Sequence, residues 1–172
     1  LVVPIYNEEE NILLLTQRIV KALKPYSFEL IYIDDCSTDS SRERIISLNN
    51  PNVILIALKK NYGQSLAMAA GFDVAQGDYI VTLDGDLQND PSDIPFMLKK
   101  LQQEDLDLVT GVRKKRQDSL IKKVPSKIAN TIIRATTKLN LQDQGCALKV
   151  FTKDTASCLL YTSDAADDEE RG

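Results

Sequence analysis

The sequence predicts an α/β domain: a mostly parallel central sheet flanked by helices on both faces. Three observations lead there. Apolar, β-branched runs at residues 1–6, 29–33, 53–58 and 79–83 read as strands buried on both sides. Stretches of helical periodicity separate them, so the strands are joined by crossovers rather than hairpins and run parallel. Polar clusters follow three of the runs, Asn7-Glu8, Asp34-Asp35 and Asp84-Gly85-Asp86. In such sheets that is the edge where ligands bind.

Each element has its own local reason. After the first strand, Asn7 with Glu10 three residues on has the pattern of a helix cap and its reciprocal partner. Ile12, Leu15, Ile19 and Leu23 then recur at helical spacing until Pro25 stops the helix. A polar turn over residues 34–40 leads into a short helix over 42–48. Residues 64–74 are Ala-rich and helical, and Gly77-Asp78 turns the chain into the fourth strand. A helix is expected over 92–103, a fifth strand over 108–111, a longer helix over 120–139 and a last strand over 147–151.

Composition narrows the chemistry. The 172 residues suit one domain with a substantial core. The net charge of −4 misleads, because residues 159–172 hold five acids and one Arg while the rest carries 20 of each sign. One local asymmetry remains: seven Lys/Arg against Asp118 alone across residues 113–127, either a solvated face or a site for phosphate or an anionic membrane surface. Cys36, Cys146 and Cys158 are far apart, which disfavours a disulfide framework and a thiolate zinc site. The chain has no histidine, so Ser-His-Asp, Cys-His and histidine-zinc chemistries are excluded together. Acids, bases and metal ligands must be mainly carboxylates. No apolar run is long enough to cross a bilayer, and no secretory signal opens the sequence.

The segment Asp84-Gly85-Asp86-Leu87-Gln88 carries the sharpest signal. Two carboxylates two residues apart at a strand end repel unless a cation lies between them, and Mg²⁺ or Mn²⁺ suits oxygen donors. Gly85 would let a ligand approach the backbone, and Gln88 would add a carbonyl oxygen. An Asx-rich turn is the plainer alternative. Such a cation matches a diphosphate leaving group. Asp34-Asp35 would accept hydrogen bonds from a base or ribose, or else open the following helix.

With these residues in view, the chain resembles the family 2 inverting glycosyltransferases of GT-A, Rossmann-like fold. Within them it is similar to the polyprenyl-phosphate group, which includes dolichol-phosphate mannosyltransferase, bactoprenol glucosyltransferases and undecaprenyl-phosphate formamidoarabinose transferase. Six ordered blocks carry the likeness: VVPIYNEEENI, IDDCSTDSS, NYGQSLAMAAGF, GDYIVTLDGDLQNDPSDIP, GVRKKRQDS and DQGCALKVF. The resemblance implies that Pro4, Tyr6, Asn7 and Glu8 flank the nucleotide, with Asp35 its polar partner. It implies that Asp84 and Asp86 bind the metal with Gln88 close by, that Arg113 meets a phosphate, and that Asp143 stands where the family has a candidate base. The expected reaction is displacement at the anomeric carbon, with transfer from a nucleoside diphosphate-sugar to a polyprenyl phosphate at the cytoplasmic face of a membrane.

Two departures stand out. Cys36 replaces the glycine usual in the Asp-Asp-Gly-Ser pattern, and Lys149 replaces a common arginine, losing bidentate phosphate geometry. Residues 1–157 are expected to be a C-terminally truncated catalytic domain. Residues 158–172 fit nothing in the family pattern and read as disordered or as foreign read-through. The alternatives are transfer to a saccharide hydroxyl and an inactive nucleotide-sugar-binding fragment. A nucleotidyltransferase is disfavoured because Pro4 to Glu8 is neither glycine-rich nor basic, and a dinucleotide oxidoreductase because no G-x-G-x-x-G follows the first strand. No nucleic-acid partner is expected.

Overall fold

Residues 1–112 and 146–158 are described by a computed structural model of the chain. The first apolar run becomes β1 (Val2–Ile5), buried at every position, and β2 (Leu30–Asp34) is buried throughout as well. β3 (Val53–Ala57) is a partly exposed edge strand. β4 (Tyr79–Thr82), β5 (Leu108–Thr110) and β6 (Lys149–Thr152) complete a sheet of order β3-β2-β1-β4-β6-β5. The pairs β1–β2, β2–β3 and β1–β4 are parallel, as the crossover argument requires.

The last strand departs from that argument. β6 runs antiparallel to both β4 and β5 and lies between them. A strand of four residues has the same alternation in either direction, so periodicity cannot report its sense. The sense is set by where the long connection after β5 re-enters the sheet. Because β6 is reversed, Gly111 beyond β5 and Cys146 ahead of β6 meet at the same edge, the Gly111 amide donating to the Leu148 carbonyl at 2.8 Å. The expected 120–139 helix and the whole 113–127 basic segment lie outside the described residues.

Helix α1 (Ile12–Ala22) buries Ile12, Leu15, Thr16 and Ile19, the stripe its spacing predicts. Each fully buried aliphatic side chain is worth about 2 kcal/mol. The helix stops ahead of Pro25, whose ring disfavours helical backbone before it. The expected cap is displaced: the N-cap is Asn11, and Asn7 sits instead at φ 57 in the preceding loop. Helix α2 (Ser41–Ser47), helix α3 (Gln64–Val74) and helix α4 (Ile94–Gln103) follow, α4 entered through a 3₁₀ turn (Pro91–Asp93).

The alternation of each strand divides these helices between the two faces. Val3, Ile5, Leu30, Tyr32 and Val81 pack with Ile12, Leu15, Ile45, Ile94 and Met97 from α1, α2 and α4. On the opposite face Val2, Ile31, Ile33 and Ile80 meet Ala67 of α3 and Ala156. Phe72 of α3 contacts Phe151 of β6 edge-to-face, ring centroids 6.1 Å apart. Gly71 lets α3 lie close on the sheet, since a Cβ there would come within 2.7 Å of Ile33 Cδ1 and closer still to Val2.

Candidate active site

From β1 the chain steps outward to β2 and β3, then returns past β1 to β4. Loops leaving β1 and β4 therefore turn away in opposite senses, and a crevice opens between them at the carboxyl edge. β1 and β4 share the registered pair Val2↔Thr82, against four pairs joining β1 to β2. A cavity of about 270 Å³ occupies the crevice. It is lined by Pro4, Tyr6, Glu8, Asp35, Asp84, Gly85 and Asp86, all singled out from the sequence, together with Gln64, which was not.

Asp34 and Asp35 part company here, because adjacent strand residues point to opposite faces. Asp34 is fully buried, bound by Arg42 Nε at 2.6 Å, and accepts the Ser37 amide. That hydrogen bond, with the charge of Asp34, raises the pKa of the Arg42 guanidinium. Asp34 is thus tied up in structure. Asp35 faces the cavity, and its two carboxylate oxygens accept the amides of Tyr62 at 2.7 Å and Gly63 at 2.8 Å. It fixes the loop that enters α3.

Past β4, Asp84 Oδ1 accepts from Gln64 Nε2 at 2.7 Å, and Asp86 Oδ1 accepts the Gln88 amide at 3.0 Å. Between Asp86 and Gln88, Leu87 adopts φ 61, a left-handed backbone costing about 1–2 kcal/mol. Its side chain packs against the main core, which holds the turn in place. Gly85 needs a different explanation from the one its sequence suggested. A Cβ at that position would press on Ile5 Cγ2 at 3.1 Å and Glu8 Cγ at 3.3 Å, so the glycine lets the turn sit on β1 and the Glu8 side chain.

Four expected residues fall elsewhere or outside. Gln88 is exposed and does not line the cavity. Asn7 is exposed and acts as a brace: its Oδ1 accepts the amides of Thr38 at 2.8 Å and Asp39 at 3.3 Å, and its own amide donates to Ser37 Oγ. Arg113 and Asp143 lie outside the described residues. Lys149 opens β6 and is half-buried.

The brace extends beyond Asn7. The Glu8 amide donates to Ser41 Oγ, the Glu9 amide to Asp39 Oδ2 and the Ser40 amide to Glu9 Oε2, joining the loops after β1 and β2. Burial raises the Asp39 pKa, but hydrogen bonds from Ser41 and the Glu9 amide outweigh it and hold the carboxyl below its usual range. Sequence reading missed this lattice because its partners are about thirty residues apart. A dense run of Asn, Ser, Thr and Asp in both loops is its one visible trace.

The site and topology define a class, the GT-A form of the α/β fold. Glucosyl-3-phosphoglycerate synthase from Mycobacterium tuberculosis, solved in complex with UDP, shares it with a TM-score of 0.67 and 22% identity, over 88% of this chain and 55% of that one. A mannosyltransferase from Pyrobaculum calidifontis, solved with GDP-Man and Mn²⁺, gives 0.65 and 21%, over 91% and 45%. Residues 1–160 match the description Glycosyl transferase family 2, and the chain belongs to that family. Dodecaprenyl-phosphate galacturonate synthase of Rhizobium johnstonii is 43% identical over 157 residues, 88% of this chain and 46% of the relative. Undecaprenyl-phosphate 4-deoxy-4-formamido-L-arabinose transferase of Photorhabdus laumondii is 43% identical over 164 residues, 92% and 50%. The chain spans about half the length of these relatives.

Proposed function

We propose that residues 1–157 are the catalytic domain of an inverting glycosyltransferase moving a sugar from a nucleoside diphosphate-sugar to a polyprenyl phosphate. One observation carries the reading: loops from β1, β2 and β4 bring Glu8, Asp35, Asp84 and Asp86 to a single cavity at the switch point. Pro4 and Tyr6 offer surface for a base, and Asp35 accepts hydrogen bonds from it or from ribose. Asp84 and Asp86 supply the hard oxygen donors that Mg²⁺ or Mn²⁺ takes. Among the described residues no three His, Cys, Asp or Glu side chains form a metal cluster. When bound, such an ion supplies Lewis-acid stabilisation of the charge on the departing diphosphate.

The relatives named above as polyprenyl-phosphate enzymes support a lipid phosphate as acceptor. A phosphate monoester has its second pKa near about 6, so it is largely a dianion at neutral pH and attacks with little help from a base. Asp143 then orients groups, and Arg113 with the basic residues up to Lys127 holds phosphate and anionic headgroups at the cytoplasmic face of the membrane. Gly111 and Cys146, which flank that connection, lie side by side, a Cβ on Gly111 coming within 3.1 Å of Cys146 Sγ, and this supports its delivery to the site edge. Among the described residues no helix is long and apolar enough to cross a membrane.

Calorimetric titration with UDP and GDP, with and without Mn²⁺, tests the donor site. Wild type is expected to bind one of them more tightly with the ion. Asp84→Asn and Asp86→Asn should each weaken Mn²⁺ uptake by more than about 100-fold, beyond what losing an outer-shell partner costs. A wild type with no nucleotide affinity would overturn the reading. Labelled sugar nucleotides offered with undecaprenyl phosphate or an oligosaccharide test the acceptor, and transfer to the oligosaccharide alone would favour the hydroxyl-acceptor alternative.

A further inference from the structure

We infer that Gln64 is a positioning residue for the Asp84 carboxylate, set in place through Asp35, and that it tunes the affinity of the site for a divalent cation. The inference rests on the metal role proposed above for Asp84 and Asp86. Gln64 is the first residue of α3, and the helix begins without a side-chain cap, its N-cap being Gly63 at φ 88. What fixes this start is Asp35, whose two oxygens take the amides of Tyr62 and Gly63. The backbone of Gln64 is thereby tied to the end of β2. Its side chain crosses the cavity wall and donates from Nε2 to Asp84 Oδ1 at 2.7 Å.

Gln64 is exposed, so packing does not dictate where its amide points. The bond to Asp84 does. A neutral donor suits the purpose, because it orients the carboxylate without adding a positive charge beside it. A lysine or arginine here would orient Asp84 too, but its charge would compete with the ion. Partners of this kind around metal-binding carboxylates cost about 10–100-fold in affinity when removed. The network also joins the two ends of the cavity: Asp35 at the nucleoside end anchors the residue that aims Asp84 at the diphosphate end.

The test is Mn²⁺ affinity, read from the electron paramagnetic resonance signal of free Mn²⁺ at one fixed concentration of whichever of UDP and GDP wild type binds, for wild type, Gln64→Ala and Gln64→Met. Methionine keeps length and helix propensity but removes the donor. Both variants are expected to bind Mn²⁺ about 10–100-fold more weakly. Melting temperature should stay at the wild-type value, and metal-free nucleotide affinity should fall far less than Mn²⁺ affinity, which a merely structural role would not allow. In an Asp84→Asn background, Gln64→Met should change Mn²⁺ affinity less than about twofold, since coupled residues do not add. Variants matching wild type overturn the inference, as does an equal fall in metal-free nucleotide affinity. A wild type that takes up no Mn²⁺ with either UDP or GDP overturns the functional reading instead.

Discussion

Cys36 occupies φ 65, a region that a side chain with a Cβ enters at a cost of about 1–2 kcal/mol. Its Sγ lies 3.7 Å from the Lys59 carbonyl oxygen, a weak contact that offsets little of this. Asn7 and Leu87 share the left-handed region, and all three lie in loops after β1, β2 and β4. Strain of this sort collects where a backbone is held for function rather than comfort. Asn7 tolerates it through its own hydrogen bonds, and Leu87 through core packing. Cys36 has the least compensation, which makes it the informative position. Cys36→Gly should relieve the strain and give back about 0.5–1 kcal/mol in unfolded-chain entropy. The expected net gain is about 0.5–1 kcal/mol in urea unfolding, with no change in slope. Equal or lower stability for the glycine variant would show that the loop pays no penalty for cysteine.

At the scale of elements, α3 is the most constrained piece, because it is pinned at its start by Asp35 and in its middle by close approach to the sheet. Gly71→Ala adds a methyl directed at Val2 and Ile33, two fully buried residues of adjacent strands. Helix propensity favours alanine by about 1 kcal/mol, whereas overpacking a filled core costs about 1–3 kcal/mol. The overpacking should win, lowering the urea midpoint, and an unchanged or higher midpoint would mean that α3 can slide outward. The bounds of α3 were legible, as residues 64–74, from its alanines. So were β1, β2 and β4, whose apolar runs are unbroken. The sense of β6 was not, because direction is a property of connections. The true start of α1 was not either: Asn7 has the right residue type for a cap, but its side chain is claimed by Thr38, a contact that exists only once both loops have folded.

Across the whole molecule, the carboxylates of the site could be read in advance because each follows a strand that the core fixes independently. Gln64 could not, since its significance depends on the fold bringing α3 beside the end of β4. The same core holds one polar pair at its centre. Tyr32 of β2 is fully buried, and its hydroxyl shares a 2.9 Å hydrogen bond with Thr16 Oγ1 of α1. Burial pushes the phenol up to about 12 from 10.0, with the Thr16 bond opposing the rise. The raised value fixes the sign of a pH effect. Below pH 10 the phenol is neutral in both folded and unfolded chains, and its contribution to stability is fully present. Between about pH 10 and 12 the unfolded chain ionises first and releases protons the folded chain retains, so stability falls as pH rises. Two units correspond to about 3 kcal/mol, lost by the time the folded phenol itself titrates. Urea unfolding at pH 8, 10 and 11.5 reads this directly when wild type is compared with Tyr32→Phe, because the other ionisable groups are common to both. The phenylalanine chain, which leaves Thr16 bonded to the Ile12 carbonyl at 2.8 Å, should lose less stability over that range. Parallel losses in the two chains would mean that Tyr32 ionises as readily folded as unfolded, and that the core around it admits water.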